Sequence, residues 1–233
     1  QWYNSTDGTN FNPIVGATSE TYDPGALTVD TWYKREVTAT LNGTDCIEET
    51  NAVRITVINF DPGSISADQT ICEGSNANSL SSVAPSGDGS FSYQWYNSTD
   101  GTNFNPIVGA TGETYNPGAL TVDTWYKREV TASLNGTDCI EETNEVRITV
   151  INFDQGSISA DQTICEGDTP AALTSVDASG DGAFSYQWQI STNGSTYSDI
   201  VGETGETFTP PALTQDTWYK RVVTASLNGT DCT

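Results

Sequence analysis

The chain has 233 residues, of which 8 are Lys or Arg and 31 are Asp or Glu, so its formal net charge is −23. Nucleic acid and anionic membrane surfaces both require a basic footprint on their partner, and we therefore exclude them. The sequence contains no histidine, which excludes Ser-His-Asp hydrolases and His-ligated zinc enzymes.

The sequence repeats itself at an interval of 93 residues. The dipeptide Gln-Trp opens the chain and recurs at Gln94–Trp95 and Gln187–Trp188, and the copies align without a gap. Near Asp61 and Asp154 a β-rich run ends and turn-forming residues follow, and we place the starts of modules there. We expect three parts: the C-terminal part of one module (1–60), a complete module (61–153) and a module lacking its last strand (154–233).

The complete module reads as a series of strands separated by turns. The dipeptides Asp100–Gly101 and Asn135–Gly136 predict tight hairpin turns, because these residues tolerate a positive φ. No stretch carries a helical period, and about 93 residues suit one sandwich of two sheets. The sequence therefore predicts an all-β fold of tandem immunoglobulin-like β-sandwich modules. Strands are predicted, in chain order, at 64–66, 69–72, 91–96, 124–132 and 146–150.

The five cysteines predict disulfides and hence a location outside the reducing cytosol. Pairing within each module would join Cys72 to Cys139 and Cys165 to Cys232, and Cys46 would have its partner upstream of the chain. The alternative, Cys46 with Cys72 and Cys139 with Cys165, would link successive modules and stays open at this point. The absence of a Cys-x-x-Cys motif and of histidine disfavours a zinc or redox site.

Aromatic residues supply the predicted core. Trp95 alternates with polar neighbours, as a core tryptophan of a sandwich does, and Tyr126 falls on the inward face of its strand. Trp125 points to the opposite face, where it is a candidate contact for a glycan or a neighbouring subunit. The alternative is that Trp125 lies over the sheet beside Lys127 or Arg147. The predicted core aromatics are Trp2, Trp95, Trp188 and Tyr126.

The carboxylates do not predict catalysis, because no pair of acids is placed with any specificity for glycosidase chemistry. We therefore expect no enzymatic activity and no cofactor. A calcium ion could bind at a module junction, although no stretch matches the EF-hand loop. The candidate ligands for calcium are Asp61, Asp68, Glu141 and Glu142.

Several segments together resemble a known class of surface module. They are Gln69–Gly74, Tyr93–Trp95, Tyr115–Thr121 and Tyr126–Thr131. The combination resembles the tandem Ig-like or PKD-like modules of giant Bacteroidota surface proteins, such as type IX-secreted gliding-motility adhesins of the SprB type. The resemblance implies extracellular display on the bacterial surface, often as long filaments. It also implies a disulfide between the cysteine of Gln-Thr-Ile-Cys and the one after the Tyr-Lys-Arg strand.

These observations predict a structural or adhesive repeat segment of a long extracellular bacterial filament or adhesin stalk. The expected partners are neighbouring modules of the same chain and, in a filament, identical chains. One alternative is a module that binds surface polysaccharide through Trp125. The other is a spacer within a secreted multidomain enzyme.

Overall fold

A computed structural model describes all residues of the chain, Gln1–Thr233. It consists of strands, turns and irregular segments without a helix, which confirms the predicted all-β fold. Accordingly, no helix in the chain offers a long apolar span of the kind that crosses a membrane. The residues pack as two compact units. The first comprises 1–63, 84–92 and 130–141, and the second comprises 64–83, 93–129 and 142–233.

The first copy of the repeat contains five strands in one sheet. Strand order is β2-β1-β3-β4, and β5 also pairs with β3. Their bounds are β1 Trp2–Ser5, β2 Asn12–Pro13, β3 Thr31–Leu41, β4 Thr44–Glu49 and β5 Val53–Ile55.

The second copy carries the longest sheet, in the order β12-β11-β13-β15-β8, with β14 also paired to β13. The second copy also contains two separate two-stranded ladders, β6 with β10 and β7 with β9. The bounds are β6 Phe60–Asp61, β7 Ser64–Ile65, β8 Gln69–Cys72, β9 Ser82–Val83, β10 Ser86–Gly87, β11 Ser90–Ser98, β12 Asn105–Pro106, β13 Thr124–Leu134, β14 Thr137–Glu142 and β15 Val146–Ile151.

The third copy forms a sheet in the order β21-β20-β22-β23 and two short ladders, β16 with β19 and β17 with β18. The bounds are β16 Phe153–Asp154, β17 Ser157–Ile158, β18 Ser175–Val176, β19 Ser179–Gly180, β20 Ala183–Ser191, β21 Ser198–Asp199, β22 Trp218–Leu227 and β23 Thr230–Cys232.

The hairpins of the long strands turn at Asn-Gly, as the sequence predicts. Asn135 has a φ of 51° and Gly136 a φ of 80°. Two successive residues with positive φ form the turn whose twist matches that of the flanking strands. The same dipeptide turns the hairpins at 42–43 and 228–229. Every copy of the repeat therefore presents a hairpin with the same Asn-Gly turn and a cysteine on its second strand.

The core of the second copy lies around Trp95, which is fully buried beside Tyr126 and Ile148. Strand β5 of the first copy is equivalent to β15 of the second, but its Val53 is 57% exposed and its Ile55 is 38% exposed. The difference arises because strands β7 and β8 and the segment around Leu80, which belong to the front half of the second copy, have no counterpart in residues 1–60.

Candidate functional site: a strand slot closed by a disulfide

Strand β8 completes the sheet of the second copy by pairing in parallel with β15. The register sets Thr70 opposite Thr149 and Cys72 opposite Ile151. Side chains fix this register at its start. The Gln69 amide exchanges two hydrogen bonds with the Asn78 backbone, at 2.8 and 3.1 Å, and Asp68 accepts one from the Arg147 backbone N–H at 2.7 Å.

The other side of β8 contacts the hairpin of the third copy, formed by β22 and β23. The Asn228 side-chain amide donates to Thr70 Oγ1 at 3.2 Å, and the Thr230 hydroxyl donates to the Thr70 carbonyl at 3.2 Å. Two residues further along, Cys72 forms a disulfide with Cys232 across a Cα–Cα distance of 5.6 Å, which is usual for the bond. Strand β8 thus lies in a slot between the last strand of its own copy and the hairpin of the next.

A small hydrophobic core surrounds this disulfide. Ile151, Ala225 and Cys232 are buried, and Phe153 packs against Phe184 with ring centroids 6.1 Å apart. Only Asn152 separates β15 from β16, and its backbone is held at both ends by Asp181. The second and third copies are therefore connected by one residue of chain, a packed core, hydrogen bonds and a covalent bond.

The predicted disulfides differ from the structure. Cys72 is joined neither to Cys139 nor to Cys46, but to Cys232. The thiols of Cys46, Cys139 and Cys165 are free. The reason is the direction of β8. Because β8 runs parallel to β15, its last residue, Cys72, lies beside Ile151 at the end of the second copy. Ile151 packs there against the hairpin of the third copy.

The predicted core aromatics differ in burial. Trp95 and Trp188 are fully buried and Tyr126 is 2% exposed, whereas Trp2 is partly exposed. The Trp95 indole donates to the Gly112 carbonyl at 2.9 Å, and Gln94 donates to the carbonyls of Trp95 and Ile107. Through these bonds the Gln-Trp dipeptide holds backbone carbonyls of its own copy. Burial also raises the pKa of Tyr126 to about 12.

Trp125, the candidate ligand contact, is half-buried under its neighbours. Gly101, with a φ of +71°, lies so close that a Cβ there would be 3.2 Å from the indole. The Arg147 guanidinium stacks 4.8 Å from the centroid of the ring and pairs with Asp123. This is the alternative arrangement, in which the indole lies over the sheet beside a cation.

The calcium candidates are engaged separately. Asp61 accepts a hydrogen bond from the Gly63 backbone N–H, Asp68 accepts one from Arg147, and Glu142 pairs with Lys127 at 2.8 Å. Glu141 is exposed on β14. No group of three or more acidic or cysteine side chains lies together in an arrangement that could hold a metal ion.

Arg128 is a buried structural residue that the sequence analysis does not single out. Its side chain is fully buried, with Nη1 donating to the Glu113 carbonyl at 2.7 Å and the guanidinium 4.9 Å from the Tyr93 ring. Burial lowers the pKa of Arg128 from its usual value. The alternation of Tyr126, Arg128 and Val130 on one face of β13 is the sequence feature that indicates this position.

The loop after β11 is capped by side chains rather than built as the predicted hairpin turn. Ser98 Oγ accepts the backbone N–H of Gly101, and Asp100 Oδ1 accepts those of Thr102 and Asn103, at 2.7–2.8 Å. Asp100 has no positive φ, so this is not the predicted Asp-Gly turn. Hydrogen bonds from Asn103, Thr102 and Ser98 hold the pKa of the Asp100 carboxyl far below its usual range.

The capping of this loop by Asp100 predicts that the stability of the second and third copies depends differently on pH below about 4. Because the folded pKa is depressed, the contribution of Asp100 to stability is present above the ordinary aspartate pKa of about 3.9 and is lost as the pH falls through the lower folded value. Asn193 replaces it in the third copy and makes equivalent backbone contacts without titrating. We expect the Asp100→Asn chain to lose less stability than the original between pH 4 and pH 2. Urea unfolding followed at both pH values measures this, and identical pH profiles would contradict it.

The fold defines a class: all-β proteins built from tandem repeats. The chain belongs to the family described as "Domain of unknown function (DUF8696)", whose model matches residues 1–59, 61–152 and 154–233. No curated protein matches the chain.

Two solved structures show similarity to the chain. Domains A168–A170 from titin share 13% identity, with 100% of this chain and 85% of that chain covered and a TM-score of 0.38. The FN1–FN3 domains of chicken CNTN1 share 12% identity, with 87% of this chain and 72% of that chain covered and a TM-score of 0.27.

Proposed function

We propose that the chain is a structural segment of a long extracellular filament or adhesin stalk on a bacterial surface. The observation that carries this proposal is the link made by β8. This strand belongs to the sheet of one copy and is hydrogen-bonded and disulfide-bonded to the next. A joint of this kind holds successive copies together when the chain is under tension.

Three further features support the proposal. A disulfide indicates an oxidising compartment, as outside the cell. The connection between the second and third copies is a single residue, Asn152, which is too short to act as a flexible linker. The resemblance to surface modules of Bacteroidota adhesins points to display on the cell surface. The partners of each copy in this role are its neighbours in the same chain.

Electron microscopy of the native protein tests this function. We expect thin fibres with an axial period of about 35–45 Å, which corresponds to the length of sandwich strands plus a short junction. Fibres treated with a reductant are the matched comparison, because they keep the period and lose the covalent links, and we expect them to bend more. Compact globular particles, or fibres without this period, would contradict the proposal.

A further inference from the structure

A groove in the first compact unit repeats the slot around β8, but without a strand in it. The groove has a volume of about 160 Å³ and is lined by Thr56, Ile58, Leu134, Asn135, Thr137 and Cys139. Adding 93 to each number gives the same residue type on the two walls of the occupied slot: Thr149, Ile151, Leu227, Asn228, Thr230 and Cys232.

The walls of the groove differ from those of the slot in the way that a missing strand would cause. Thr149–Ile151 belong to strand β15, whereas the equivalent residues 56–58 lie beyond the end of β5 and form no ladder. Ile151 is 1% exposed and Cys232 is 4% exposed, whereas Ile58 and Cys139 are both partly exposed. In the slot, β8 covers the backbone edge, the apolar surface and the cysteine. In the groove, no strand covers the equivalent backbone edge, Ile58 and Cys139.

The segment that fits this groove has a fixed sequence. Residues 67–74, which include β8, and residues 160–167 are the same octapeptide, Ala-Asp-Gln-Thr-Ile-Cys-Glu-Gly. In the second of these, Gln162–Cys165 is exposed and is not a strand, because no parallel neighbour pairs with it. The peptide therefore becomes a strand only where a slot receives it.

We propose that the groove beside Cys139 is a binding slot for the Gln-Thr-Ile-Cys strand of the preceding repeat in a longer array, and that a disulfide to Cys139 then fixes that strand. This inference rests on the proposed function, since it requires a longer array. The preceding repeat is the favoured source because Cys72 and Cys232 show the same relation within one chain, where tethering raises the effective concentration of the strand.

The chemistry is an ordinary thiol–disulfide exchange. The two cysteine thiols give up two electrons and two protons and form one S–S bond, while an external disulfide is reduced to two thiols. In the bound state the strand's threonine lies opposite Thr56 and its cysteine opposite Ile58. Asn135 and Thr137 donate to that threonine, as Asn228 and Thr230 do to Thr70.

This rule would make the disulfides of an array overlap. Each bond spans 160 residues, which exceeds the 93-residue interval between copies. Consecutive loops would therefore share residues, and every residue in the interior of the array would lie inside at least one loop. Under tension such an array would release far less length than a reduced one, even if its sandwiches unfold, because the shortest path through the disulfides leaves out most of each repeat.

A peptide probe tests the slot on the intact chain. The octapeptide Ala-Asp-Gln-Thr-Ile-Cys-Glu-Gly is activated at its cysteine as a mixed disulfide with thionitrobenzoate, and glutathione activated in the same way is the non-specific reagent. Attack by a protein thiolate forms the new S–S bond and releases thionitrobenzoate. Peptide mapping by mass spectrometry then gives the modification rate at Cys46, Cys139 and Cys165.

Cys46 is the matched internal control. It lies in the same kind of hairpin, but Thr56 and Ile58, which line the groove beside Cys139, have no counterpart there. The Cys46 thiol is exposed, whereas Cys139 is partly exposed. Exposure alone makes Cys46 react first, and we expect this order with activated glutathione. With the octapeptide we expect the order to reverse, with at least about a tenfold preference for Cys139.

Two variants complete the test. An octapeptide with Asp in place of Ile, and a chain with Ile58→Asp, should both restore the order set by exposure. Equal ratios of Cys139 to Cys46 modification for the octapeptide and for glutathione would overturn the proposal. That result would leave the fibre test unaffected. Conversely, globular particles in the microscope would reject the filament even if the octapeptide bound at Cys139.

Discussion

Stretching the oxidised chain from its two ends will release about 26 nm of contour length, and stretching the reduced chain will release about 84 nm, at roughly 3.6 Å per residue. The difference arises because the disulfide bypasses the 160-residue stretch between Cys72 and Cys232, so force acts on the residues before Cys72. Single-molecule force spectroscopy with handles at both termini measures both lengths directly.

Serine variants separate the disulfide from other effects of the reductant. Cys72→Ser should give about 84 nm with or without reductant, whereas Cys46→Ser should keep about 26 nm under oxidising conditions, since Cys46 is a free thiol. A released length of about 36 nm in the oxidised chain would instead indicate the in-module pairs, Cys72 with Cys139 and Cys165 with Cys232. That result would contradict the link between copies.

The same bond contributes to stability at equilibrium. In the chain-entropy model, closing a loop of this length restricts the unfolded state and stabilises the folded one by about 5 kcal/mol. The Cys72→Ser chain should therefore unfold its third copy at a lower urea concentration than the Cys46→Ser chain. The residues most affected are those of the small core at the junction, Ile151, Ala225 and Phe184.

The disulfide pairing could not be predicted from the sequence. Period-two alternation places the strands correctly, and Asn-Gly places the long hairpins, because both are local properties. Pairing is not local. The copies are nearly identical, so the same nine residues precede Cys139 and Cys232, and this shared pattern does not distinguish them as partners for Cys72. The parallel direction of β8 decides between them, and it becomes visible only in the assembled sheet.

The slot itself could be predicted only in part. Its peptide, Gln69–Cys72, is a clear β segment in the sequence, and Asn228 and Thr230 belong to a recognisable hairpin. What the sequence lacks is the information that the two segments meet.

The burial of Arg128 was not predicted for a related reason. Arg128 alternates with core residues, but a cation on a strand is usually solvated, and the carbonyl of Glu113 that receives it comes from a distant loop.

Trp95→Ala should destabilise the second copy by about 3–5 kcal/mol, which is the usual cost of truncating a large buried aromatic residue. The indole is fully buried, packs 5.7 Å from the Tyr115 ring and donates to the Gly112 carbonyl. Its removal leaves both a cavity and a carbonyl without that donor. Hydrogen exchange at increasing urea, followed by mass spectrometry over residues 93–129, assigns the loss to this copy.

Trp2→Ala is the matched control, because it removes the same residue from the same Gln-Trp motif. The Trp2 indole also donates to a backbone carbonyl, that of Ser19 at 3.0 Å, but it is partly exposed. We expect its truncation to cost less than half as much, since less apolar surface is lost from the interior and the site can fill with water. Equal losses at the two positions would mean that the hydrogen bond, and not burial in a complete sandwich, dominates the contribution of this tryptophan.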